Sequence, residues 1–205
     1  FFSCMYYAAL RPAEVMHVRV DECELPEQGW GWLRLTGSTQ HHGEDWGDNA
    51  GTKEDRGLKH RPKGATRDVP APPVLVRILR GHLADIGAAP DGRLFTSRDY
   101  RRGPVSSVPY TRVWRKARKA VLTPAQQRSP LAKVPYHLRH AAVSLWLNAG
   151  VPATQVAEWA GHSVHVLLKV YAKCIDGQDE AARRRIETAL KADDEKPDDP
   201  RPAAG

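Results

Sequence analysis

Apolar residues recur at helical spacing in several stretches of the chain, with polar or glycine-rich segments between them. "MYYAAL" runs into "RPAEVMHVRV", where Pro12 suits the first turn of a new helix because the N–H it lacks would have had no partner there. Arg11 is thereby placed at a corner between two helices. "GWGWLRLTG" (29–37) reads as a strand, with Trp30, Trp32 and Leu35 as its apolar positions. Residues 38–66 are polar and Gly-rich with almost nothing to bury, and predict a long hairpin loop that re-enters the sheet at "TRDVPAP". "PVLVRILRGHLADIG" (73–87) predicts an amphipathic helix closed by Gly87, and "GRLFTS" (92–97) a short buried strand. "SVPYTRVWRKARKAV" (107–121) predicts a second amphipathic helix capped by Ser107. A loop, "LTPAQQRSPLAKVP", then leads to three helical stretches. "YHLRHAAVSLWLNAG" ends at Gly150, "VPATQVAEWAG" opens at Pro152 and closes at Gly161, and "SVHVLLKVYAKC" follows. The expected fold is α+β and mainly α-helical, with a small antiparallel three-stranded sheet near the N-terminal side.

A chain of 205 residues can bury a sizeable core, and its 41% hydrophobic and 27% charged residues are those of a globular protein. The formal charge is +7, and its distribution is more informative than its size. From Arg98 to His140 there are eleven Lys and Arg against one acid, Asp99, whereas from Asp176 onward nine acids face six bases. A positive field so concentrated suits a phosphate backbone, and equally a solvated helix face. Cys4, Cys23 and Cys174 are odd in number and lack CxxC spacing, which argues against a disulfide scaffold and a zinc ribbon and fits a reducing cytoplasm. No apolar run approaches the ~18 residues of a membrane span. The opening "FFSCMYYAAL" has no basic n-region, so it is not a signal peptide; it reads as a cut inside a longer protein.

"GHSVHVLLKVY" (161–171) raises the chemical question. In one continuous helix His162 and Tyr171, nine positions apart, would face opposite ways. Gly161 breaks that continuity, and Ser163 can cap the next helix, which leaves His162 in the turn and free to point toward the face that carries Tyr171. Tyr171 shares a stripe with Val164, Leu167 or Leu168 and Ile175, which a core tyrosine would also do. Arg139 opens the helix in "YHLRHA", and Arg11 stands at its own helix corner. Two arginines at helix termini can fork onto the oxygens of one phosphate, or bridge to carboxylates at the surface.

Taken together these stretches resemble the catalytic domain of the tyrosine recombinases, the phage-type integrases. "AALRPAEVMHVRVDE" is similar to the first arginine box, with Arg11 and an acid three later at Glu14. "PYHLRHAAVSLWLNAGV" is similar to the second, with Arg139; "EWAGHSV" resembles the turn that carries the catalytic histidine, here His162. Tyr171 falls at the nucleophile's usual distance from it. The second box usually reads His-x-x-Arg, and Tyr136 stands where that histidine would be. "RPKGATRDVPAP" resembles the hairpin that carries the family's lysine, with Lys63 as first candidate and Lys59 as second.

The resemblance implies a site-specific recombinase or integrase, of the kind found in mobile elements, acting on double-stranded DNA in the bacterial cytoplasm at the nucleoid. Tyr171 would attack a phosphodiester, forming a 3′-phosphotyrosine and a free 5′-hydroxyl without ATP, metal or other cofactor. Arg11 and Arg139 would offset phosphoryl charge, Lys63 would protonate the leaving oxygen, and His162 would hydrogen-bond the phosphate or shuttle a proton. Tyr136, with a reference pKa of about 10, is a poor base near neutrality but can still hydrogen-bond the phosphate. Residues 1–176 would form this domain and 177–191 a C-terminal helix that docks on a neighbouring protomer or on its own domain. Residues 192–205 would be a disordered acidic tail, and a DNA-clamping domain would lie upstream. The assembly on DNA would be a tetramer, and the free fragment a monomer. Two rival readings are a non-catalytic helix-turn-helix DNA binder, built on "HAAVSLWLNAGVPATQVAEWAGHS", and a type IB topoisomerase. A histidine metal site, from His137 and His140 or from His162 and His165, lacks a nearby acid or thiolate.

Overall fold

Leu33 and Leu35 alternate with Trp32 and Arg34, so one face of their strand is buried and the other open. In the computed structural model, which describes residues 1–41, 53–59, 61–97, 105, 107–175 and 179–194, this strand is β2 (Gly31–Leu35). It lies between β1 (Cys23–Glu24) and β5 (Arg67–Ala71) in an antiparallel three-stranded sheet near the N-terminal side. The register sets Gly31 opposite Ala71, Leu33 opposite Val69 and Leu35 opposite Arg67. Arg67 therefore shares the inward parity of Val69 and Ala71, while Arg34 and Asp68 pair at 3.1 Å on the outer face. Trp30 and Trp32, apolar by type, lie largely exposed.

The polar stretch after this strand is not a bare loop. β3 (Ser38–His41) and β4 (Lys53–Arg56) form a second antiparallel ladder; the stretch between them lies outside the described residues. Side chains hold this ladder in place of apolar burial. Thr39 is fully buried and its hydroxyl donates to Asp55 Oδ1 at 2.6 Å, with His17 Nδ1 3.2 Å away. Arg93 grips both Asp55 oxygens at 2.6 and 2.9 Å and Asp91 at 2.9 Å. Residues 92–97 are likewise not a strand among the described residues. They carry an isolated bridge, Arg19 to Arg93, and bury Leu94 and Phe95.

The helices are α1 (Phe2–Tyr7), α2 (Pro12–His17), α3 (Pro73–Asp85), α4 (Ser107–Val121), α5 (Pro124–Arg128), α6 (His137–Asn148), α7 (Ala153–Ala160), α8 (Val164–Ile175) and α9 (Asp179–Asp194). α5 falls where a loop is expected, opened by Thr123 and Gln126, whose side chains cap each other's backbone N–H. Two cores result. The sheet packs with α1 to α3 around Met5, Leu10, Val15, Leu33, Val69 and Leu75. α6, α7 and α8 pack around Ala142, Val143, Val156, Ala160, Leu167 and Tyr171. At about 1.5–3 kcal/mol for each large apolar side chain, burial in these cores is what drives the fold. Between α1 and α2 the chain touches both cores: Ala8 and Leu10 pack in the first, and Ala9, at a left-handed φ of 50°, packs in the second. α9 lies apart from both: Ile186 and Leu190 are exposed. The tail beyond residue 194 lies outside the described residues. No helix among the described residues is long and apolar enough to cross a membrane.

Candidate active site

The C-terminal end of α7 organises the cluster. Gly161 follows the last helical residue at φ 64°, and the His162 N–H donates back to the Ala157 carbonyl at 2.9 Å, which turns the chain sharply. That turn leaves the Ala160 and Gly161 carbonyls facing out of the helix end, where the partial negative charge of the peptide dipoles collects. Two guanidinium groups take them. Arg11 Nη2 donates to Gly161 O at 2.7 Å, and Arg139 donates through Nη2 to Ala160 O and through Nη1 to Ala9 O.

Arg11 sits at the N-cap of α2, as Pro12 predicts, and Glu14 folds back onto it. The Arg11 N–H and its Nη1 each donate to a Glu14 oxygen at 2.8 Å. Glu14 is 2% exposed, and its Oε2 also lies 2.8 Å from Nη2 of the equally buried Arg67. Burial alone would raise the Glu14 pKa; Arg67 and Arg11 outweigh it, and the carboxyl is held below its ordinary value. Arg67 is therefore a further member of this site that the motifs do not name. The signal for it is strand parity, since it stands two residues before Val69 on the buried face. Three guanidinium groups thus converge on a single carboxylate. The Arg139 Nε, Arg67 Nε and His162 Nδ1 are buried without a hydrogen-bond partner. Arg139 is fully buried; burial first and Arg11 second push its pKa down to about 10, still far enough above neutrality to keep the charge.

His162 stands in the turn, capped from the next helix by Ser163, whose hydroxyl accepts the Val166 N–H at 3.2 Å. Burial, then Arg139, Arg11 and Arg67, push its pKa down to about 4, so the free protein holds it neutral at pH 7. Tyr171 lies two turns into α8, its ring 6.3 Å from that of His162. It is 2% exposed, not open on the surface as a nucleophile's usual place suggests, and its hydroxyl meets His140 Nδ1 at 2.7 Å. Tyr136, the N-cap of α6, is half-buried, with its ring edge-on to His140 at 5.2 Å. Lys63 and Lys59 lie in the turn between β4 and β5, both exposed, and make no ion pair with the cluster. Arg11, Arg139, His162, Tyr171 and Tyr136 thus meet at one place, while the two lysines stay outside it. No group of three or more His, Cys, Asp or Glu suited to a metal ion occurs among the described residues.

Gly161 is the tightest point of the cluster. A Cβ built there would lie 2.1 Å from Arg67 Nη1 and 3.2 Å from Arg11 Nη1. Gly161→Ala is expected to cost about 1–2 kcal/mol from the left-handed backbone alone. Displacing Arg67 from Glu14 adds to that. Urea unfolding measures the sum, and an unchanged midpoint would show slack in the turn.

In sequence, no protein-family model and no curated protein matches the chain. In structure, the integrase of the Tn1549 transposon, in complex with a circular intermediate DNA, is similar over 91% of this chain and 57% of its own, with a TM-score of 0.68 and 16% identity. The XerH site-specific recombinase, bound to a palindromic difH substrate in a post-cleavage complex, is similar over 88% of this chain and 43% of its own, with a TM-score of 0.62 and 14% identity. XerA recombinase gives a TM-score of 0.55 at 18% identity, over 91% of this chain and 56% of its own. The chain thus spans about half the length of these proteins, and the part it matches is their C-terminal catalytic domain. It has the fold of the tyrosine recombinase catalytic domain.

Proposed function

We propose that this chain is the catalytic part of a tyrosine-type site-specific DNA recombinase, which breaks and rejoins strands through a 3′-phosphotyrosine. One observation carries the reading: Arg11, Arg67 and Arg139 gather around the one carboxylate of Glu14, which pairs with Arg11 and Arg67, beside a neutral His162 and the Tyr171 hydroxyl. The excess positive charge, together with unpartnered N–H groups, suits an anion with several oxygens, and a phosphodiester is one. The resemblance of the boxes around Arg11 and Arg139 and the shared fold both support it.

In this reading Arg11 and Arg139 stabilise the phosphoryl oxygens as charge builds on them, and Arg67 positions Arg11 through their common carboxylate. A bound phosphate adds negative charge beside His162, which offsets the arginines that depress its pKa and lets it donate a hydrogen bond or a proton. Tyr136 donates a hydrogen bond to the same phosphate. Lys63, or Lys59 next to it, protonates the leaving 5′-oxygen when DNA brings the exposed β4–β5 turn over the site. The linkage keeps the energy of the broken bond, so strand joining needs neither ATP nor a metal. The exposed basic residues of α4, Arg112, Arg115, Lys116 and Lys119, hold the duplex, while Arg118 is taken up by the Gln126, Ser129 and Leu131 carbonyls. Ile186 and Leu190 of α9 dock on a neighbouring protomer, and tetramers assemble on paired sites. Such an enzyme works at the nucleoid of a bacterial cell, in the service of a mobile element.

The helix-turn-helix reading has α6 and α7 in its favour. Yet α7, the helix that would read DNA, carries Glu158 and no Lys or Arg. The test is covalent trapping on a nicked duplex in EDTA and without ATP, using the full-length protein and a site defined by footprinting. A denaturant-resistant protein–DNA adduct is expected. DNA binding with no adduct leaves the chain a DNA binder. Affinity is expected to fall steeply with salt, by about 0.9 decades per decade of salt for each phosphate contacted. A flat response in a filter-binding titration would contradict the α4 surface.

A further inference from the structure

His140 has no part in the steps above. It lies one turn after Tyr136 on α6, and its Nδ1 is 2.7 Å from the Tyr171 hydroxyl. For Nδ1 to accept that hydrogen bond, the ring proton must sit on Nε2, which makes His140 a neutral base with its lone pair on the phenol. The neighbours leave little competition for the proton. Tyr136 sets only its ring edge against His140. His162 keeps its ring 6.3 Å from that of Tyr171 and its Nδ1 without any hydrogen bond.

We propose that His140 is the general base of strand cleavage, taking the proton of Tyr171. The proposal rests on the recombinase reading. As the Tyr171 Oη–phosphorus bond forms and the phosphorus–O5′ bond breaks, the phenol proton passes to His140 Nδ1, giving an imidazolium. The leaving 5′-oxygen takes its own proton from the lysine turn. In rejoining, the 5′-hydroxyl attacks phosphorus, Tyr171 leaves, and His140 returns the proton to it. The surroundings suit the task. Partial burial first, then His137 and Arg139, lower the His140 pKa, so the base is free of protons at pH 7. The groups that face it are Tyr136, His137 and Arg139 from α6, Tyr171 from α8, and His162 from the turn before α8.

The experiment measures single-turnover adduct formation by the full-length protein on a nicked duplex with a 5′-bridging phosphorothiolate. Its thiol leaving group needs no general acid, so the rate reports loss of the phenol proton. The wild-type rate is expected to fall at acid pH, as His140 takes up a proton, with the fall displaced below the ordinary imidazole range, and to level off above it. His140→Gln is expected to lose about 10²–10⁴-fold at pH 7, the range of a general base. Its rate should then climb with rising pH as hydroxide replaces the missing base, so the gap narrows on the alkaline side. A fluorotyrosine at position 171, with a more acidic phenol, should rescue His140→Gln more than it speeds the wild type. A gap that stays constant at every pH and with either phenol overturns the proposal in favour of a packing role, and so does a wild-type rate that shows no acid-side fall down to the pH at which the protein unfolds. The second of these needs no variant to fold. Wild type that binds the site yet gives no adduct at any pH removes the recombinase reading itself, and this step with it.

Discussion

Tyr171→Phe is expected to abolish the covalent protein–DNA adduct while leaving DNA affinity unchanged. The substitution removes one oxygen and no volume from a ring that is 2% exposed in the α6–α8 core. No other change separates chemistry from folding so cleanly. The lost hydroxyl leaves His140 Nδ1 without that partner, which should cost about 0.5–1.5 kcal/mol, an amount the core tolerates. Adducts are counted on denaturing gels against a nicked duplex, binding by gel shift, and stability by thermal melting. An adduct that persists in Tyr171→Phe would show that another residue is the nucleophile.

Arg139→Ala is expected to have the largest combined effect. The guanidinium is fully buried and joins the Ala9 carbonyl, between α1 and α2, to the Ala160 carbonyl at the end of α7. Truncation strands both acceptors and leaves Glu14 with two of its three cationic neighbours. Loss of one partner from a buried charged network typically costs about 3–5 kcal/mol. Loss of a donor to the phosphoryl oxygens should slow cleavage by a further ~10²–10³-fold. Arg139→Lys separates the two effects. A lysine keeps the charge, but its single ammonium cannot span two carbonyls set in different directions as a planar fork does. It should recover part of the cleavage rate and less of the stability, read by single-turnover assay and urea midpoint. Wild-type stability in Arg139→Ala would mean that the α1–α2 corner is held to the end of α7 by other contacts.

Much of this arrangement was legible in the sequence because its causes are local. Pro12 and Gly161 announce the helix corner and the turn, and with them the places of Arg11 and His162. Apolar periodicity marks α3, α6 and α7. The β3–β4 ladder was illegible for a physical reason: "STQH" and "KEDR" lack apolar alternation, and their pairing rests on Thr39, Asp55 and a distant Arg93. In β2 the tryptophans drew the eye to the wrong face, since Leu33 and Leu35 are the residues that bury. The stripe on α8 was visible, but not which leucine faces inward. Leu167 is fully buried and Leu168 is 43% exposed. The burial of Tyr171 and its hold on His140 could not be read at all, because two helices 31 positions apart in sequence must meet to create them.

Arg11 and Gly161 stand 150 positions apart, and their hydrogen bond needs the α1–α2 corner and the end of α7 to be folded against each other. The α1–α2 corner supplies Arg11 and Glu14, β5 supplies Arg67, and α6 to α8 supply Arg139, His162 and Tyr171. A molecule in which any one of these segments is missing or unfolded therefore has no assembled site, and reactivity is tied to completion of the fold.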